Sequence, residues 1–230
     1  MLHRAGAARV YGRCMETSGR PPGRPDRRDR ARLVVLASGN GSNLQAILDA
    51  CADDRLPAAV VAVVSDHADA VALDRAGRAG VPGVHVGRLR EEARPDYDAR
   101  LADVVSGFGP DLVVLAGWMR ILTTSFLGWF PDRVINLHPA RPGELPGTHA
   151  IERAFAEAQA GRRSSTGVMI HLVPDEGVDD GPVLATADVP ILPDDTLDSL
   201  AERIHAVEHR LLVDTIGHLC TQLTRKASPV

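Results

Sequence analysis

The sequence predicts an α/β fold: a mostly parallel sheet with helices on both faces and an antiparallel C-terminal part. Two observations carry this. From residue 32 to residue 138, short β-branched runs alternate with stretches of helical periodicity, the rhythm of βαβ units. Beyond residue 160, two consecutive runs alternate polar with apolar, as antiparallel strands with one solvated face do. With 230 residues, 44% of them hydrophobic, the chain can fill the core of one sizeable domain.

Met1 to Ala31 stands apart. It is rich in Arg, Gly and Pro, and Arg20-Pro-Pro-Gly-Arg-Pro-Asp-Arg-Arg-Asp-Arg30 can build neither a helix nor a core. Residues 1–31 are read as a disordered extension or as sequence upstream of a start at Met15; residues 32–223 form the domain and 224–230 a tail. Leu33 to Ala37 is a buried strand, followed by a Gly/Ser/Asn loop and an amphipathic helix from Asn43 to about Ala52. Ala58 to Ser65 is a second strand, and Ala68 to Ala79 a helix closing at Gly80. Val84 to Val86 is a short strand, and Asp96 to Ser106 a helix closing at Gly107. Asp111 to Ala116 and Val134 to His138 complete the parallel, Rossmann-like part. After the Pro/Gly-rich loop Pro139 to Gly147 comes a helix from His149 to Ala160. Strands at Thr166 to Val173 and Pro182 to Ile191 follow, joined by the acidic loop Pro174 to Gly181. Asp195-Thr196 caps a closing helix from Leu197 to about Leu223.

Composition narrows the function classes. A net charge of −4 and 3% aromatics offer nucleic acid neither a basic surface nor stacking platforms. The apolar run Ala58 to Val64 falls far short of the roughly 18 residues a membrane span needs. Cys14, Cys51 and Cys220 are odd in number and widely spaced, which fits neither a disulfide framework nor a zinc cluster and points to a reducing cytoplasm. Small-molecule ligands, no metal, and a monomer or homodimer are expected.

Chemistry concentrates where strands end, because the loops beyond them open into the ligand crevice of an α/β sheet. In Val134-Ile-Asn-Leu-His-Pro139, Asn136 and His138 stand two apart and point to the same side of a strand. An amide that donates and an imidazole that passes a proton suit acyl transfer around a developing oxyanion; a turn cap over a packed imidazole fits the dipeptide spacing too. Ser38-Gly-Asn-Gly-Ser-Asn43 lets backbone N–H groups approach a phosphate at a helix N-terminus. It is neither a P-loop nor a dinucleotide fingerprint, and a tight turn is the alternative. Gly117-Trp-Met-Arg-Ile-Leu122 sets apolar side chains around one arginine, suited to a flat heterocycle or simply to the core. In Asp175-Glu-Gly-Val-Asp-Asp-Gly-Pro182, a carboxylate beside His138 would orient the imidazole and favour its protonated form. Glu208 reads as a surface residue of the closing helix, and His171 as a partial-core histidine.

In order and spacing, Val34-Val-Leu-Ala-Ser-Gly-Asn-Gly-Ser-Asn-Leu44, Ala116-Gly-Trp-Met-Arg-Ile-Leu122, Asn136-Leu-His-Pro139 and Asp179-Asp-Gly-Pro182 together resemble the phosphoribosylglycinamide formyltransferase family of folate-dependent enzymes. The resemblance runs from about Arg32 to Leu223. It implies formyl transfer from 10-formyltetrahydrofolate to the amine of glycinamide ribonucleotide in de novo purine (IMP) biosynthesis. It further implies that Asn136, His138 and Asp179 are catalytic. Gly41, Ser42 and Asn43 would hold the ribonucleotide phosphate, and Glu208 the glycinamide amine. Arg94, Met119, Arg120, Ile121 and Leu122, with Asp175, Glu176, Gly177 and Val178, would hold the folate. Asn136 and protonated His138 would stabilise the oxyanion while Asp179 helps the proton to the leaving N10. Two stretches depart from the family pattern. Ala140-Arg141-Pro142-Gly143 replaces Ser-Leu-Leu-Pro and would bring a charge beside the substrate, and Pro174 lengthens the run to Asp179. A different primary amine, such as an amino sugar, is therefore an alternative acceptor. A nucleotide-binding regulatory protein of the same fold is the non-enzymatic alternative.

Overall fold

The computed structural model describes residues 30–227. The expected extension lies outside the described residues except for its last two, and Ala31 already opens the first strand. Strands β1 (Ala31–Leu36), β2 (Ala58–Ser65), β3 (Gly83–His85), β4 (Leu112–Leu115), β5 (Val134–His138), β6 (Ser165–Leu172) and β7 (Val183–Pro190) form one seven-stranded sheet in the order β3-β2-β1-β4-β5-β6-β7. The pairs among β1 to β5 are parallel, and β6 and β7 add antiparallel. Helices α1 (Ser42–Ala52), α2 (Val71–Arg78), α3 (Arg94–Ser106), α4 (Thr124–Leu127), α5 (Ala150–Gln159) and α6 (Leu197–Ala227) complete the chain.

The unbroken apolar runs of β1 and β4 follow from burial on both faces. Leu33, Val35, Leu112 and Val114 face a core layer shared with α1, α2 and α6. Val34, Leu36, Val113 and Leu115 face the layer of α3 and α4. In β2 the alternation slips once: Leu33 pairs with Val60 but Val34 with Ala62, so Val61 is the extra residue of a bulge.

The differences from the sequence reading lie at element ends. The second helix starts at Val71 rather than Ala68, and α6 continues past Leu223 to Ala227. The four-residue α4 is too short to show a period; it is anchored by buried Phe126, whose ring centroid lies 5.0 Å from that of Phe130. The start of α6 is held by a reciprocal capping box, with Ser199 N–H donating to Thr196 Oγ1 (3.1 Å) and Thr196 N–H to Ser199 Oγ (3.0 Å).

Strand order reverses direction between β1 and β4, so a crevice opens beyond their carboxyl ends. Two bonds tie its walls together there. Ser38 N–H donates to the Gly117 carbonyl (3.0 Å), and Met119 N–H to Ser38 Oγ (3.0 Å).

Candidate active site

Asn136 and His138 lie on β5 where it leaves the sheet, and antiparallel β6 sets His171 directly opposite Asn136. After β6 the acidic loop returns over the strand ends. Asp179 takes the left-handed conformation, φ 55°, which short polar side chains tolerate better than most. That backbone turn brings its carboxylate among the other groups. Oδ1 accepts from Asn136 Nδ2 (2.9 Å) and lies 3.5 Å from His171 Nε2. Oδ2 accepts from Gly147 N–H (2.8 Å) and lies 3.3 Å from His138 Nδ1.

Hydrogen-bonding partners fix the proton positions. The Leu145 carbonyl, 3.0 Å from His138 Nε2, can only accept, so Nε2 carries a hydrogen and a neutral ring leaves Nδ1 bare towards Asp179. Burial lowers the His138 pKa, opposed by the Asp179 charge and the Leu145 carbonyl. The ring therefore rests neutral at neutral pH, and the 3.3 Å gap is longer than a charge-assisted bond. Burial raises the Asp179 pKa, but the nearby His171 ring, the hydrogen bond from Gly147 N–H and the neighbouring His138 outweigh it, leaving the carboxyl below its ordinary range. The Leu172 carbonyl, 2.8 Å from His171 Nδ1, likewise makes His171 Nε2 an acceptor in the neutral ring. Asn136 Nδ2, 3.2 Å away, thus has one hydrogen for His171 and one for Asp179.

The cleft has two lobes. One, of about 520 Å³, is lined by Asn136, His138, His171 and Asp179, and by Met119, Arg120, Ile121, Leu122, Asp175, Gly177 and Val178. Met119, Ile121 and Val178 are large apolar side chains left exposed along it, an arrangement that suits a ligand with a flat apolar face. The other, of about 640 Å³, is lined by Gly41, Ser42, Asn43, His67, His205 and Glu208. The lobes meet at Met119, Pro139 and Thr148, which line both. In the second lobe α1 starts after Gly41 with no side-chain cap, which leaves first-turn N–H groups for an anion. Glu208 is buried there, accepting from Asn43 Nδ2 (3.1 Å) and from His205 Nδ1 (2.8 Å) and raising the His205 pKa through that bond. The surface position read for Glu208 from the sequence alone is corrected by this burial.

The formyl transferase family profile matches residues 31–216. The chain is 43% identical over 204 residues to a phosphoribosylglycinamide formyltransferase of Dictyostelium discoideum, an alignment covering 83% of this chain and 98% of that one. It is 44% identical over 209 residues to the corresponding protein of Schizosaccharomyces pombe, with the same coverage. The crystal structure of glycinamide ribonucleotide transformylase 1 from Symbiobacterium toebii superposes with a TM-score of 0.79 at 40% identity, covering 84% of this chain and 89% of that one. The chain belongs to the phosphoribosylglycinamide formyltransferase family.

Against the family pattern, three placements differ from expectation. Arg141 does not charge the cleft: its guanidinium donates to Asp188 Oδ1 (2.7 Å) and Ser165 Oγ (2.9 Å), on β7 and β6. Ala140 is buried in a small cluster with Leu145, Ala150 and Ala154. Arg94 and Glu176 pair with each other at 3.1 Å and are not among the residues lining the lobe that holds Asn136 and His138. Arg120 lines that lobe, but its Nε donates to buried Asp66 (2.6 Å) and its guanidinium lies over the Tyr97 ring. The sequence reading missed His171 as a member of the polar group. Its position opposite Asn136 depends on strand register, which local pattern does not give.

Proposed function

We propose that this chain transfers the formyl group of 10-formyltetrahydrofolate to the amine of glycinamide ribonucleotide, in the cytoplasm, as a monomer or homodimer. The observation that carries the reading is one carboxylate, Asp179, within 2.9–3.5 Å of Asn136, His138 and His171, in the first lobe, where His138 directly precedes Pro139, which lines both. The co-substrate supplies an electrophilic formyl carbon, and the exposed apolar wall at Met119, Ile121 and Val178 with Arg120 and Leu122 receives its ring system. Asp175 and Gly177 border it beside Val178, while Arg94 and Glu176 close the rim as an ion pair. Gly41, Ser42 and Asn43 hold the phosphate, and Glu208 holds the glycinamide end.

As the formyl carbon becomes tetrahedral, Asn136 gives its oxygen one amide hydrogen, released from His171. His138, held by the Leu145 carbonyl through Nε2 and lying beside Asp179 through Nδ1, takes the proton shed by the attacking amine at Nδ1. Asp179 stabilises the resulting imidazolium, whose Nδ1–H faces the oxyanion until the proton passes to the leaving nitrogen.

Purified protein supplied with both substrates tests this. Stoichiometric loss of formyl folate and appearance of formylated ribonucleotide is the expected result. Transfer to an amino sugar in preference to the ribonucleotide, or ribonucleotide binding without turnover, would replace the proposal with one of its alternatives. Asn136→Ala is expected to lower turnover by roughly two to three orders of magnitude, the usual loss for one oxyanion donor.

A further inference from the structure

We propose that Arg75 is a positioning residue for the phosphate loop, so that α2, none of whose residues line the cleft, sets the affinity for the ribonucleotide. The inference rests on the reading that Ser38 to Asn43 holds a phosphate.

The loop has little to shape it from within. A side chain at Gly39 would meet nothing within 4 Å, and glycine restricts its own backbone least of all residues. Its ends are tied at Ser38 to Gly117 and Met119 and at Asn43 to Glu208; its middle is shaped from α2. Arg75 Nε donates to the Asn40 carbonyl (2.8 Å), a terminal nitrogen donates to Asn40 Oδ1 (2.9 Å), and the other terminal nitrogen donates to Gln45 Oε1 (3.2 Å). One planar guanidinium thus grips the backbone and side chain of a loop residue and the first turns of α1 together. A lysine ammonium lacks this fork.

The backbones fit as closely. Ala72 N–H donates to the Gly39 carbonyl (3.1 Å). Gly41 has φ +73°, and a Cβ there would lie 2.9 Å from Ala72 Cβ and 3.0 Å from its Cα. The loop therefore rests on α2 at Gly39 and Gly41 and is pinned at Asn40 between them. This pre-orders the N–H groups of Ser42 and Asn43 before phosphate arrives, so binding does not have to order them.

Steady-state kinetics of the full chain test the role. Arg75→Met, which keeps the stem and loses the fork, is expected to raise KM for the ribonucleotide about tenfold. KM for the folate and kcat are expected to stay within about twofold. Arg75→Lys is expected to stay close to Arg75→Met. Arg75→Ala is expected to recover with added ethylguanidinium, because the side chain borders two open grooves of about 570 and 690 Å³. An unchanged ribonucleotide KM, a wild-type value in Arg75→Lys, or equal shifts in all three constants would each overturn the proposal. Should the Arg75 variants fail to fold, Asn40→Ala removes one acceptor without altering α2; an unchanged ribonucleotide KM there also overturns it. Absence of transfer by the wild-type chain would overturn the substrate reading alone. The loop role would then be measured by titrating inorganic phosphate against the Gly41 and Ser42 amide signals, with weaker binding expected in Arg75→Met.

Discussion

His138 and Asp179 share one hydrogen-bonding position and pull each other's protonation in opposite senses. Burial favours the neutral imidazole and hydrogen bonds favour the ionised carboxylate, so near neutral pH the pair holds a base next to the charge that would stabilise its protonated form. As pH falls through the lowered His138 pKa, Nδ1 fills before substrate arrives, and kcat/KM should drop on that limb, below the ordinary imidazole value of about 6.5. Asp179→Asn removes the charge that raises the His138 pKa. The acid limb should then move to still lower pH, with a lower plateau, in pH–rate profiles of the two proteins. For stability the signs are separate. The depressed Asp179 carboxyl contributes above the ordinary carboxylate range and loses its contribution as pH falls through the depressed value. At this scale Asn136, His138 and Asp179 were legible because each sits in a short chemically distinctive run. His171, Arg75 and Asp66 were not, since each acts on a residue 35 to 54 positions away. Arg141 misled because a side chain's direction is not written in its neighbours.

Elements with long periods were readable and short ones were not. The apolar runs of β1, β4 and β5 and the lengths of α1 and α3 follow from local pattern, whereas α4 has no period to detect. The start of α6 was legible from Asp195-Thr196, and its chemistry can be measured. Thr196 and Ser199 satisfy each other's N–H groups, while Asp195 accepts from Leu192 N–H and from Arg203. Thr196→Ala should lower unfolding free energy by about 1 kcal/mol, the usual loss for a cap residue, read by urea denaturation. Glu208 lies on α6 and is buried in the cleft, so, on the role proposed for it, a displaced helix start should also weaken ribonucleotide binding.

At the scale of the whole molecule, one sheet with two apolar faces explains why most of the fold was legible and most of the site was not. Two-sided burial imprints itself on every strand, but the cleft is assembled from the loops after β1, β4, β5 and β6, and their convergence is a property of strand order. The same core governs the thiols. Burial pushes Cys51 up to about 11 and Cys220 up to about 12, leaving almost no thiolate at neutral pH. In a Cys14→Ser chain, both should alkylate far more slowly in the native state than in urea, as mass spectrometry would show. Equal rates would mean that the packing of α1 against α6 is looser than described. Among the described residues no helix is long and apolar enough to cross a membrane.

The bulge in β2 makes the strand tolerant of losing one particular residue. Because Val61 is the position the ladder with β1 skips, a chain lacking it keeps Val60, Ala62, Val63 and Val64 facing the layers they face now. Ser65, Asp66 and His67 would still arrive at the mouth of the crevice. Excising Val63 instead would turn everything after it inside out, carrying Asp66 away from Arg120. Two single-codon deletions only two positions apart should therefore give, respectively, a working enzyme and an insoluble one.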